Sequence, residues 1–380
     1  MKMIKRIIIL LGILAILATE NGAWAGAIES DKSRLLGMLL ASQYTQLDRE
    51  MSETQRAYER GTIGDEQLLA AFRSFYITDR TVEPKLIEWI EKYPKSYAAR
   101  LARGIYYKYV GFEARGDNFT DKTSDEQFTG MDANFKKSIQ DLLDSANLTD
   151  KPILSYLHAM DIGKNYGLIR MNRRLLDLAN EKAPRNFIVR RKYLFTLQAR
   201  WGGSAEEMSS FVRECKGAGL PVEKVRELDA AVTADVAWKL EWEHDYVGAQ
   251  RKYEEALAVL PDDPDIISRI SWVLIRQGKY SAAVPHLSRL LEIKPNNTYA
   301  LANRGVCYAQ LKRLDSALVD YMKAANLGDA FSQNEIGTFY WHGITVPRDK
   351  ALAIQWFRKS AQQGNDAAKR NLKEALASGL

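Results

Sequence analysis

The sequence predicts an all-α protein, an α-solenoid of stacked antiparallel helix pairs, and three observations carry that prediction. First, from Ala230 to Pro295 the chain repeats at an interval of 34 residues: Ala249, Tyr253, Ala256 and Pro261 recur in type as Ala283, Leu287, Leu290 and Pro295. Ala317, Tyr321 and Ala324 form a third copy. Second, residues 30–225 are rich in Leu, Ala, Tyr and Arg and contain no sustained alternation of apolar and polar residues, which argues against strands. Third, prolines after apolar segments, at Pro94, Pro152, Pro184, Pro221, Pro261 and Pro295, fall at intervals close to one helix pair in four cases of five.

The first segment reads as an export signal. Lys2, Lys5 and Arg6 precede an apolar run from Ile7 to Ala18, and Ala23-Trp24-Ala25 supplies a small-residue cleavage site. The run is shorter than the roughly 20 residues of a membrane span, so cleavage after residue 25 is favoured over an uncleaved anchor. The expected location is the periplasm, with secretion as the alternative, and the mature chain is not expected to be an integral membrane protein. No cysteine lies near the cleavage site, which excludes lipidation there. Without residues 1–25 the chain carries 51 basic and 47 acidic residues, a net charge of +4 on a mixed surface. No long basic run follows, so nucleic acid is not an expected partner.

Residues 26–225 are expected to be degenerate helix pairs. The polar stretch Gly111 to Gly130, with Glu113, Arg115, Asp117, Asp121, Lys122, Asp125 and Glu126, is expected to form a surface loop or short turns. Ser204 with Glu207 has the spacing of a helix-capping box after a Gly202-Gly203 turn. The order Ser96-Tyr97-Ala98-Ala99-Arg100 to Gly104, then Ala114-Arg115-Gly116, then Arg200-Trp201-Gly202-Gly203-Ser204 resembles an uncharacterised bacterial domain family. Its members typically occur in exported proteins, often ahead of helical repeats. Ala199 stands where that family usually has proline. The resemblance implies a bacterial origin and no activity.

Residues 226–327 repay reading position by position. Within each copy, an alanine, a large residue four on and a small or apolar residue three further lie on one helix face. Val236, Ala237 and Leu240, then Ile270, Ser271 and Leu274, then Gly305 and Tyr308 supply the partner stripe on the preceding helix. This pattern resembles the tetratricopeptide repeat, a 34-residue pair of antiparallel helices. Such units bury their apolar faces only by stacking. Val225, Leu228, Val232 and Val236 form an apolar face on the first helix here, which suits continuation of the stack from the preceding segment. In residues 328–380, Gly328 is answered by Gly364 after 36 residues. The run through Ile336, Gly337, Tyr340, Gly343, Val346, Pro347, Asp349, Lys350, Ala351, Trp356, Lys359 and Ala361 resembles a Sel1-like repeat. Gly337 and Ala351 are expected at close helix contacts, Gly343 at a helix end, Asp349 at a cap, and Asp366 to Leu376 in a terminal helix.

Catalytic signatures are missing. The chain has no phosphate-binding glycine loop, nucleophile elbow or H-E-x-x-H pattern. Its four histidines are scattered, and pairs such as His158 with Asp161 have the spacing common on solvated helices. No metal site, cofactor or catalytic residue is implied. Cys215 and Cys307 are expected to be buried free thiols.

The tetratricopeptide resemblance also implies a binding surface, because the first helix of each unit lines the concave groove. Trp238 and Trp272 take equivalent positions 34 residues apart, Trp242 and Arg276 share another, and Tyr299 and Asn303 lie on the third unit. These six residues are the candidate ligand-binding set. The rings suit either a binding groove or the filling of the inner curve. A clamp for free carboxylates, as in chaperone cofactors, is disfavoured because Asn303 is its one candidate member. The expected function is a non-enzymatic periplasmic scaffold or adaptor that binds a protein or peptide of the cell envelope. The alternative is an accessory role in envelope polysaccharide handling, with a glycan on the rings.

Overall fold

The computed structural model describes residues 34–116 and 123–377, and every regular element in them is helical. The expected signal at 1–25 lies outside the described residues. Two units divide the chain: an N-terminal unit running to Gly203 together with Arg213–Leu220, and a C-terminal unit of Ser204–Val212 with Pro221 onward.

The N-terminal unit begins with helical residues 34–40 (α1), followed by α2 (Tyr44–Glu59), α3 (Asp65–Phe72), a 3₁₀ turn at Arg73–Phe75 and α4 (Val82–Lys92). Next come α5 (Tyr97–Arg115), α6 (Asp125–Ala146), α7 (Ile153–Asn165), α8 (Ile169–Lys182), α9 (Ile188–Thr196) and a 3₁₀ turn at Ala199–Trp201. Helix α5 is central. Ser96 starts it by accepting from the Ala99 amide at 3.1 Å. Ala98, Ala99, Leu101, Ala102, Ile105, Tyr106 and Val110 are then buried along it. Of the expected loop at 111–130, residues 111–115 and 125–130 are helical, and 117–122 lie outside the described residues. Gly111 remains in α5 because it is covered by Phe135, whose ring would lie 2.5 Å from any β-carbon placed there. On the other side, Ser124 and Gln127 form a capping box that starts α6 at Asp125.

Helix α10 (Ala205–Gly217) is started by Ser204, which accepts from the Glu207 amide at 3.2 Å. The C-terminal unit continues with α11 (Val222–Trp242), α12 (Tyr246–Leu257), α13 (Pro264–Arg276), α14 (Tyr280–Ile293), α15 (Thr298–Gln310) and α16 (Leu314–Asn326). It closes with α17 (Ala330–His342), α18 (Lys350–Gln362) and α19 (Asp366–Ala377). Short acidic or amide side chains begin these helices in series: Asp245, Asp263, Asn297, Asp329 and Asp349 each accept from an amide in the first turn. All nine small and large stripe residues of the three 34-residue copies are buried. Gly343 takes φ +67° and ends α17 in the left-handed conformation. Ala351 departs from expectation: it is exposed, and Ala353 is the buried alanine of α18. Two residues, about 200° of helix rotation, put the two on opposite faces, and a pattern of small residues does not fix which face is buried.

The same contact recurs in both units. In the C-terminal unit Gly305 of α15 lies under the Tyr321 ring of α16, while Arg304 holds Asp320 through two bonds of 2.7 and 2.8 Å. In the N-terminal unit Gly104 of α5 lies against Leu142 of α6, while Arg103 holds Asp141 through two bonds of 2.7 and 2.8 Å. A glycine admits the large residue, and the adjacent arginine ties the neighbouring buried aspartate. The bidentate pairing fixes the register of the two helices as the packing alone would not. The plan of the repeat thus extends into α5 and α6.

Candidate functional site

The first helices of the C-terminal pairs, α11, α13 and α15, are joined on one face by polar ties. Arg269 of α13 pairs with Glu241 of α11 at 3.0 Å, and the Tyr299 hydroxyl of α15 donates to the Ser268 carbonyl of α13 at 3.2 Å. Glu241 also accepts from Tyr253 at 2.7 Å, so its carboxylate serves the packing and is not offered to a ligand.

All six candidate residues lie on these helices, in three groups. Trp238 and Trp242 stack on each other, with centroids 6.0 Å apart and planes at 24°. Trp242 is 74% exposed. Trp272 meets the edge of Tyr246 at 5.7 Å, and the Arg276 guanidinium lies 5.5 Å from the Trp272 ring and 5.9 Å from Tyr246. Tyr299 is 37% exposed, and Asn303 donates back to its carbonyl at 2.8 Å. Burial pushes the Tyr299 phenol up to about 12, so it stays a neutral donor at any physiological pH. The expected ladder of Trp238 on Trp272 is replaced by two nearer pairings. Residues four apart on a helix are immediate neighbours, so Trp242 takes the face of Trp238. Tyr246, just past the turn, makes the edge contact with Trp272. Trp272 is also packed against the buried core of its unit, and Trp238 is likewise half-buried, whereas Trp242 stands outward. Tyr246 is the member that periodicity missed. It opens α12, outside the first-helix positions, and only its place after the His244-Asp245 turn marks it.

A second constellation lies in the N-terminal unit, built by α5, α7 and α9. Lys108, buried at 2% exposure, sits 2.8 Å from Asp161 and 2.9 Å from the Nδ1 atom of His158. Lys192 of α9 donates to the other Asp161 oxygen at 2.7 Å. The rings of Tyr76 and Tyr109 stack at 4.7 Å, and the Lys108 ammonium lies 4.7 Å from the Tyr109 ring. Burial lowers the Lys108 pKa against the pull of Asp161. Burial also favours the neutral form of Asp161, but Lys108 and Lys192 together outweigh it and hold the carboxyl well below the usual range. His158 is kept neutral by burial first and by the Lys108 charge second. His158 and Asp161 are therefore not on a solvated face. The first two turns of α7 are enclosed on every side, with Ile153 through Met160 all buried, so His158 has no route to bulk water, while Asp161 keeps 14% side-chain exposure at the edge. That all-round apolarity was the available signal.

The turn after α9 borders this cluster. Gly202 takes φ +89°, and a β-carbon on Gly203 would overlap the Leu197 carbonyl, so both glycines are required by the turn itself. The Lys164 ammonium lies 4.5 Å from the Trp201 ring, and Trp201 is 42% exposed.

Cys215 and Cys307 are free and buried. Among the described residues, no group of three or more His, Cys, Asp or Glu side chains is arranged to hold a metal ion. Among them, too, no helix is long and apolar enough to cross a membrane.

Comparison with known proteins finds three family matches. Residues 330–365 match the Sel1 repeat, residues 274–319 the tetratricopeptide repeat, and residues 32–171 a domain of unknown function (DUF4034). The last match ends before Arg200, so the Arg-Trp-Gly-Gly-Ser block lies outside it. Protein PHOX3 of Arabidopsis thaliana is 32% identical over 95 residues, which are 23% of this chain and 12% of that one. The chain therefore spans about an eighth of that relative. Among solved structures, a Sel1 repeat protein from Oxalobacter formigenes is 19% identical, over 57% of this chain and 88% of that one, with a TM-score of 0.39. The tetratricopeptide protein YrrB, described as having an unusual peptide-binding site, is 19% identical over 52% and 97%, with a TM-score of 0.37. MamA from Desulfovibrio magneticus RS-1 is 19% identical over 43% and 97%, with a TM-score of 0.34. The fold is an α-solenoid that contains tetratricopeptide and Sel1 repeats.

Proposed function

We propose that the protein is a non-catalytic scaffold of the periplasm that binds an extended polypeptide of the cell envelope along the first-helix face of its C-terminal repeats. The observation that carries this reading is the stacked Trp238–Trp242 pair, with Trp242 exposed, together with the Tyr246–Trp272–Arg276 group. Large aromatic and arginine side chains dominate the energetics of protein contacts, and a monomer that exposes 74% of a tryptophan leaves apolar area for a partner to cover. The Arg276 side chain offers donors for backbone carbonyls while its plane rests on rings. The periplasmic location rests on the basic start, the apolar run and the small-residue site at the N-terminus.

The reading is tested by recovery of partners from an envelope extract on immobilised mature chain and on its Trp238→Ala, Trp272→Ala double variant. Partners retained by the first and lost by the second support it, and equal recovery defeats it. A second reading, a glycan ligand, is favoured by one feature: the nearly parallel Trp238 and Trp242 rings form a flat platform of the kind on which sugars stack. Titration of tryptophan emission with envelope glycans separates the two.

A further inference from the structure

The cations around Asp161 outnumber the carboxylates. Lys108 and Lys192 share the two oxygens of this one side chain. Lys164, one turn further along α7, stands in the electrostatic field of Asp161, Lys192 and Arg200. Three lysines, Lys108, Lys164 and Lys192, are therefore set around the one carboxylate of Asp161, and His158, neutral, adds no charge. Among the described residues, the Lys164 ammonium has no oxygen acceptor and rests on the face of Trp201 at 4.5 Å. Lys108 is likewise covered by the Tyr109 ring. Aromatic faces attract ammonium groups at about 0.5–2 kcal/mol each, which is less than a buried or half-buried charge gains from a counter-ion. The deficit is also open to solvent on one side. Asp161 and Lys192 retain 14% and 26% side-chain exposure, and Trp201 retains 42%.

We propose that this cluster is a binding site for an oxyanion, a phosphate or carboxylate group of a small polar ligand, held between Lys164 and Lys192 at the rim. Lysine ammoniums serve there as point charges with several free protons each. Asp161 and the buried Lys108 fix Lys192 in place, since Asp161 is bonded from both sides. The exposed Trp201 ring gives the remainder of the ligand a surface to lie on. The tight turn made by Gly202 and Gly203 closes the short helix that carries Trp201, whose ring lies over Lys164 of α7. This assigns a role to Arg200-Trp201-Gly202-Gly203 that needs no catalytic serine. It is independent of the aromatic face of the C-terminal repeats.

The test uses the full mature chain with two probes, inorganic phosphate and succinate, each compared with sodium chloride at matched ionic strength. Lys164 lies on the Trp201 ring, so an anion that draws the ammonium away changes Trp201 emission. A saturable change is expected with at least one probe, and which probe produces it identifies the oxyanion. Lys164→Gln is expected to weaken it at least tenfold, and Lys164→Arg, which keeps the charge, to hold it within about threefold. Trp201→Phe should abolish the optical signal while calorimetric binding persists. Far-ultraviolet circular dichroism confirms that each variant is folded. No saturable response beyond chloride with either probe overturns the proposal, as does an unchanged response in Lys164→Gln.

Discussion

Gly305 and Tyr321 carry the tightest test of the packing argument. A β-carbon on Gly305 would stand 2.6 Å from Cε1 and 2.7 Å from Cδ1 of the Tyr321 ring, nearly 1 Å inside ordinary contact. The ring has little room to withdraw, since Tyr321 is 2% exposed and meets the Phe331 and Phe339 rings at 6.1 and 6.0 Å. Overpacking of this kind costs about 1–3 kcal/mol, while replacing a helical glycine by alanine returns about 1 kcal/mol. Gly305→Ala is therefore expected to destabilise its pair by about 0–2 kcal/mol. Tyr321→Ala removes the ring and leaves a cavity, at about 3–5 kcal/mol by analogy with other large aromatic deletions. The informative variant is the double one. With the ring gone the new methyl meets nothing, so Gly305→Ala should now stabilise by up to about 1 kcal/mol. The coupling of about 1–3 kcal/mol then has a definite sign. Native-state hydrogen exchange on α15 and α16 peptides reads it locally, without requiring the whole chain to unfold in one step. Additive effects, or a Gly305→Ala penalty that survives in the Tyr321→Ala background, would refute the contact as the organising device of the repeat.

Acidification should act through His158. The unfolded side chain titrates near 6.5, whereas burial and Lys108 keep the folded one neutral well below that. As pH falls below about 6.5 the unfolded chain binds a proton that the folded chain refuses, so stability declines there. His286, lowered by its burial, works in the same sense. Melting midpoints at pH 7 and 5 should therefore differ less in His158→Gln than in wild type, and equal differences would count against the buried cluster. Asp161 opens a second window: its contribution is present above the ordinary value of 3.8 and is lost as pH falls from there toward its depressed folded value. Asp161→Asn should accordingly reduce the steepness of acid unfolding below pH 4, and an unaltered acid limb in that variant contradicts the assignment. The thiols should be inert in the native state, because burial pushes Cys307 up to about 11 and also raises Cys215. Ellman's reagent should label both cysteines in denaturant and neither without it, and rapid native labelling would show that the helices around them open.

What the sequence made legible was what repeats at helical spacing. Ala283 and Leu287, or Ala317 and Tyr321, announce a buried stripe because four residues bring side chains onto one face, and the 34-residue interval places the next copy. The same device in α5 and α6 was hidden by its chain distance. Gly104 faces Leu142 and Gly111 faces Phe135, on either side of a polar stretch that looked like a loop from Gly111 to Gly130. The aromatic face was legible as a set of residues but not as a set of contacts. Periodicity put Trp238 and Trp272 in register, and the shorter i to i+4 step then gave Trp238 to Trp242. The cluster around Asp161 was out of reach for a different reason. Lys108, His158, Asp161 and Lys192 come from three helices, and no spacing rule brings a lysine 50 residues upstream to a histidine. A buried polar group declares itself only through the apolar sequence that encloses it.

The first-helix face of the C-terminal repeats is tested most directly by a peptide selected for it. A display library of extended peptides is selected on the chain from residue 26 onward, and the affinity of a recovered peptide is measured by calorimetry. The measurement is repeated on Trp242→Ala, on Trp272→Ala, and on Lys369→Gln at the exposed terminal helix α19 as a control. Loss of an anchoring aromatic residue from an interface commonly costs about 2 kcal/mol or more, so each tryptophan variant should bind the peptide at least tenfold more weakly. Lys369→Gln should bind it as the parent does. Peptides whose affinity is the same for all four proteins would place recognition elsewhere and contradict the account.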